Sequence, residues 1–210
     1  DKKYINGFVD IKSTATIDFS KLQFDLARKM KLNRVEYLDK NLKTSRNKDA
    51  VFVEFPLIKK GENFTFRVYY EGKPLQAKNP PWDGGFSWEN DKNGNPWIGV
   101  SCQGLGASIW WPCKDHQSDE PDSMRITSKV REPWQVISNG NLRSDTSEWN
   151  QYLGSWVNVR EWFVSYPINN YNVTLCVGDY VTLSEEYISE KDTLQMDYYA
   201  LRYNKEKAIE

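Results

Sequence analysis

Residues 101–123, SCQGLGASIWWPCKDHQSDEPDS, read unlike the chain on either side. Gly104 and Gly106 allow close backbone approach. Trp110, Trp111 and Pro112 form a stiff apolar knot. Asp115, Asp119, Glu120, Pro121 and Asp122 then make an acidic turn. A long irregular insert between regular strands is where a site is expected, because loops on a rigid scaffold carry function.

Working outward, the flanks alternate with the period of half-buried strands. Upstream this holds for 22–27, 35–38, 51–55 and 64–70, and in the last of these Phe64, Phe66, Val68 and Tyr70 share one face. Residues 59–63 (KKGEN) read as a hairpin loop, and the first 72 residues as an antiparallel meander. Pro80, Pro81, Gly84 and Gly85 break the rhythm. Asn93-Gly94 signals a two-residue hairpin that delivers the chain into the 101–123 stretch. Downstream, 124–130 alternates, Pro133-Trp134 opens a new strand that turns at 138–141, and 149–164 holds two strands around Leu153-Gly154. Residues 173–183 read as one strand and 194–201 as the last. The expected fold is all-β: a large curved antiparallel sheet with smaller packed sheets, sandwich-like. Residues 1–202 read as one β domain. Residues 203–210 (YNKEKAIE) are good helix formers and read as the start of a linker helix into a further domain of a longer parent.

A chain of 210 residues is long enough to bury a core without staples. Net charge is −1, with no basic patch, so no nucleic-acid partner is expected. No run of eighteen apolar residues is present, so no membrane span is expected. Cys102, Cys113 and Cys176 fit no metal spacing, and an odd count argues against a disulfide framework; a Cys102–Cys113 bridge stays open. Compartment stays open as well: free cysteines point to the cytoplasm, whereas a start at Asp1 without Met reads as trimming and export.

Some chemistry is excluded by residue type. His116 is the sole histidine, so no H-E-x-x-H zinc site can be built here. There is no G-x-S-x-G, no phosphate loop, and no dinucleotide fingerprint. No catalytic residue and no metal ligand is assigned. The acidic turn has oxygen ligands suited to Ca²⁺, but Asp side chains at a turn more commonly satisfy backbone N–H groups. Gln103 is the principal candidate for binding, because its carboxamide both donates and accepts. Trp82, Phe86 and Trp88 either form an exposed aromatic platform or pack on the Trp110-Trp111 knot.

Cys102-Gln103-Gly104-Leu105-Gly106-Ala107, followed by Trp111-Pro112-Cys113-Lys114-Asp115, resembles the N-terminal domain of M1-family zinc aminopeptidases, with the leukotriene A4 hydrolase-like branch the nearest comparison. Gln, Pro, Cys and Asp fall at fixed offsets. The acidic turn resembles that family's D-E-P segment with a few inserted residues. The resemblance implies that Gln103, with Ser101, Cys102 and Gly104 on the same edge, lines the first substrate pocket and grips the N-terminus of a peptide. It implies that Asp115 is structural. It also implies that zinc and the hydrolytic residues belong to a catalytic domain of the parent, which would be this domain's partner. Ser101 stands where that branch has Gln, which argues against epoxide hydrolysis and for a plain aminopeptidase. A second reading, from aromatic content alone, is a secreted, non-catalytic β-sandwich that binds carbohydrate.

Overall fold

The computed structural model describes residues 3–80, 82–102 and 104–210. The chain divides into two compact units. One comprises Asp1–Ser87, Val100–Pro121 and Pro167–Val173, and the other Trp88–Gly99, Asp122–Tyr166 and Thr174–Glu210.

The first unit is built on seven strands: β1 (Ile5–Thr14), β2 (Phe19–Asp25), β3 (Met30–Tyr37), β4 (Lys40–Asn41), β5 (Thr44–Asn47), β6 (Ala50–Ile58) and β7 (Asn63–Gly72). They form two sheets, ordered β1-β7-β3-β4 and β2-β6-β5. The alternation in β7 buries Phe64, Phe66, Val68 and Tyr70, as the sequence pattern predicts. Val51, Val53 and Phe55 of β6 are buried likewise. The Phe55 ring meets Phe64 at 5.9 Å and Phe66 at 5.4 Å, and Phe24 meets Phe66 at 6.5 Å. The two sheets therefore stack as a sandwich with an aromatic core.

This corrects the expected meander. The 59–62 loop joins β6 to β7, but β6 pairs with β2 and β5, whereas β7 pairs with β1 and β3. Both strands present phenylalanines to the same core, so stacking them buries more apolar area than pairing them edge to edge. Two irregularities follow from the residues. The β2–β6 register shifts between Phe19 and Lys21, opposite Pro56, which has no N–H to give the ladder. The β3–β7 register shifts between Leu32 and Arg34. That bulge changes the phase of burial, so Met30 and then Val35 are both buried although five residues apart.

The remaining strands are β8 (Gly85–Asn90), β9 (Pro96–Ser101), β10 (Met124–Arg131), β11 (Gln135–Ser138), β12 (Asn141–Asn150), β13 (Ser155–Val164), β14 (Leu175–Gly178), β15 (Tyr180–Ile188) and β16 (Thr193–Leu201). Their sheets are ordered β11-β14-β9-β8, β10-β13-β12 and β15-β16. The unit boundary falls within β8 and within β9. In the second unit, Trp162 Nε1 donates to the Val136 carbonyl at 3.1 Å, and its ring lies 5.9 Å from Tyr199. Arg160, buried mid-strand, is held by Asp145 at 2.7 Å.

Three local expectations change here. The β8–β9 loop is a three-residue hairpin rather than a two-residue one. Gly94 N donates to Asp91 O at 3.0 Å, and Asp91 N to Asn95 O at 2.8 Å. Gly94 takes φ +83°, as a type I turn followed by a left-handed residue requires. The Asp91 carboxylate caps this loop by accepting from Asn93 N and Asn95 N, both at 2.8 Å. The strand opened by Pro133-Trp134 starts at Gln135, after the cis Glu132-Pro133 bond. The 173–183 run is two strands: β14 joins the β11-β14-β9-β8 sheet, while β15 pairs with β16. Finally, Arg202–Asn204 forms a 3₁₀ turn leading into a short helix, α1 (Lys205–Ile209).

Candidate functional site

The 101–121 loop lies wholly in the first unit. It leaves β9 at Ser101 and folds back at once, with Leu105 N and Gly106 N both donating to Cys102 O, at 3.1 and 2.9 Å. Gly104 and Gly106 adopt φ +76° and +83°, which disfavours any side chain. A Cβ on Gly106 would lie 2.2 Å from Asp115 Oδ2, so the close approach of this turn to Asp115 depends on glycine. A 3₁₀ turn follows at Ala107–Ile109.

Asp115 holds that turn. Its Oδ1 accepts from Ala107 N at 3.3 Å and its Oδ2 from Ser108 N at 3.1 Å. Asp25 anchors the same loop to β2: its backbone exchanges hydrogen bonds with Cys113, and its Oδ2 accepts from Asp115 N at 3.2 Å. Ala27 N donates to Ser108 O at 2.8 Å. Within the acidic turn, Asp115 thus satisfies backbone donors. Asp119 pairs with Lys114 at 2.9 Å, and His116 Nδ1 accepts from Ser118 N at 3.2 Å. Among the described residues, no three His, Cys, Asp or Glu side chains converge to hold a metal ion.

The tryptophan knot is core. Trp110 and Trp111 are 8% and 7% exposed, with rings 6.3 Å apart at 68°. Phe86 is buried against Trp110 at 6.1 Å, while Trp82 is exposed. The sequence alternative of packing onto the knot therefore holds for Phe86, and no platform of Trp82, Phe86 and Trp88 forms. All three cysteines are free thiols. Burial pushes the Cys102 thiol up to about 11, against a smaller opposing pull from the Trp110 side chain. Burial, reinforced by the Asp115 charge, drives Cys113 further above the ordinary thiol range.

Beside the loop lies an open cleft of about 1090 Å³. Its walls bring together three of the predicted site residues, Ser101, Cys102 and Gly104. The fourth, Gln103, lies outside the described residues. Cys102 is buried, whereas Gly104 is exposed and Ser101 half-buried. The cleft is also lined by Asp25, Asp49 and Asp115 and by the 169–172 segment, with no Lys or Arg among its described lining residues. That segment was legible in the sequence only as a polar loop. Buried Asn170 donates to Lys114 O at 3.0 Å and to Asp119 Oδ2 at 3.3 Å, and Asn169 Nδ2 donates to Gln117 O. The doublet Asn169-Asn170 is the one sequence signal that could have singled it out.

No family model matches the chain, and no curated protein does. Solved structures do. A two-domain M1 zinc metallopeptidase mutant bound to L-arginine is 18% identical with a TM-score of 0.77, over 94% of this chain and 44% of that one. An M1 zinc metallopeptidase from Deinococcus radiodurans is 18% identical with a TM-score of 0.76, over 93% and 43%. Yeast leukotriene A4 hydrolase in complex with bestatin is 17% identical with a TM-score of 0.64, over 97% and 29%. The chain spans less than half the length of each of these structures. At such identities the likeness concerns fold, and the fold of this chain is that of the N-terminal β domain of M1 zinc metallopeptidases.

Proposed function

We propose that this chain is the N-terminal β domain of a zinc aminopeptidase, that it caps the active site, and that it helps hold the N-terminal residue of a peptide substrate. In this reading residues 1–202 are the capping domain and 203–210 begin the connection to a catalytic domain, which is its partner and performs the hydrolysis. The observation that carries the reading is the cleft lined by Ser101, Cys102 and Gly104, on a chain with the M1 N-terminal fold.

The chemistry of the cleft supports a substrate amine. Three carboxylates and several amide and hydroxyl groups line it, and no cationic lysine or arginine does among the described residues. Such a wall favours a peptide's α-ammonium over its carboxylate. The Gln103 carboxamide would accept from that ammonium, or donate to the first peptide carbonyl. Asp115 acts indirectly, by holding the 107–108 backbone under the cleft edge. Zinc does not fit this chain: it has one histidine, and its described acidic groups do not converge. The metal is therefore assigned to the catalytic domain, and no step is derived through it.

The test is turnover of an aminoacyl anilide by the full-length parent with Gln103→Ala and Gln103→Glu beside the wild type. Loss of one hydrogen bond to a charged group predicts a fall of about tenfold or more in Gln103→Ala with the fold intact. Unchanged turnover would remove the substrate-gripping role. Absence of any zinc-dependent aminopeptidase activity in the parent would remove the whole reading.

A further inference from the structure

We propose that the tip of the β12–β13 hairpin inserts into the interface of an uncharged lipid bilayer. Residues 149–156, WNQYLGSW, contain no Asp, Glu, Lys, Arg or His. Trp149 and Trp156 sit directly opposite each other across the two strands, with rings 6.1 Å apart at 75°. They are 56% and 51% exposed. Beyond them, Tyr152 is fully exposed and Leu153 is exposed at the apex. Single exposed apolar residues are ordinary on a protein surface, but four on one convex tip are not. The tip is also held in shape: Leu153 N donates to Asn150 Oδ1 at 3.0 Å, and Gly154 closes the turn at φ +58°.

The chemistry selects a bilayer. From the tryptophan pair to the apex is two to three residues, about 7–10 Å at the rise of a strand. That matches the 5–10 Å or so to which interfacial segments sink into the headgroup–acyl boundary. Trp and Tyr, with an apolar body and a polar edge, suit the headgroup level. Leu153 suits acyl chains and offers nothing to a sugar ring. Charge begins immediately behind the tip, at Lys129, Arg131, Glu132 and Glu148, two of each sign. Lys129 is paired with Glu148 at 2.6 Å, and Glu132 accepts from Ser147 Oγ at 2.5 Å. A neutral collar of this kind does not select anionic lipid. No helix among the described residues is long and apolar enough to cross a membrane, and the contact proposed is that of the hairpin tip alone.

The experiment is flotation of the full-length protein with pure phosphatidylcholine vesicles. The wild type is expected to float, with little effect of salt. Tyr152→Glu/Leu153→Glu, which changes only exposed side chains, is expected to lower the vesicle-bound fraction about tenfold or more. Trp82→Glu, an exposed aromatic outside the hairpin, is expected to leave it unchanged. Circular dichroism and urea midpoints confirm that all variants are folded. A wild type that does not float overturns the proposal. So does a double variant that floats like the wild type, or binding that needs phosphatidylserine or appears only on immobilised oligosaccharide.

Discussion

Two tryptophan pairs in this molecule have nearly the same ring geometry and opposite surroundings. Trp110 and Trp111 meet edge to face at 6.3 Å and 68°, and Trp149 and Trp156 at 6.1 Å and 75°. The first pair is buried, in a loop pinned by Asp25 and Asp115; the second is half-exposed, at the end of a hairpin. The aromatic contact itself is worth about 0.5–1.5 kcal/mol in either place. What differs is the apolar area removed from water, so the buried pair is a structural element and the exposed pair is a surface available to something else.

The largest expected effect lies on the buried side. Trp111→Ala should cost about 3–5 kcal/mol, read as a lowered urea midpoint, because the loop cannot collapse around so large a void. Trp111 Nε1 is buried without a hydrogen-bond partner among the described residues. Trp111→Phe removes that orphan donor along with part of the ring, so it should cost far less than the alanine change. If alanine and phenylalanine cost the same small amount, the knot is not core and the comparison fails.

The thiols beside the buried pair sharpen the same contrast through pH. The Cys102 thiol has an ordinary value of 9.0 that burial raises to about 11 in the folded state. Between these values the unfolded chain has lost a proton that the folded chain keeps, so stability falls as pH rises. The stabilisation is fully present below pH 9 and is lost as pH climbs through about 11, at about 1.4 kcal/mol per pH unit. Cys113, raised further, extends the loss to higher pH. Urea midpoints across this range should fall less steeply in Cys102→Ala. Equal slopes in variant and wild type would show that the thiol is not buried as described.

Much of the fold was legible because alternation reports which face of a strand is buried. Phe64, Phe66, Val68 and Tyr70 announced β7. Alternation does not report which strand lies alongside, so the short 59–62 loop suggested pairing where the sheets stack. The corner at Gly178-Asp179 was hidden for a related reason: the apolar run continues across it although the strands on either side join different sheets. In the cleft, the turn glycines and Asp115 were legible because their chemistry is local. Asn169 and Asn170 were not: Asn169 caps the 170–172 turn locally, but the groups to which both side-chain amides donate lie more than fifty residues away.

The smallest expected effect is on the exposed side, and it decides whether the comparison means anything. Trp149→Ala leaves no buried void, because the ring is 56% exposed. It removes one edge-to-face contact and part of a half-buried face. The cost should therefore be about 0.5–1.5 kcal/mol, several times below that of Trp111→Ala in the same urea titration. A loss as large as that of Trp111→Ala would mean that the pair staples β12 to β13 and is retained for stability. A small loss means that two large apolar rings are kept in water at little benefit to the fold, and then their exposure itself calls for a ligand.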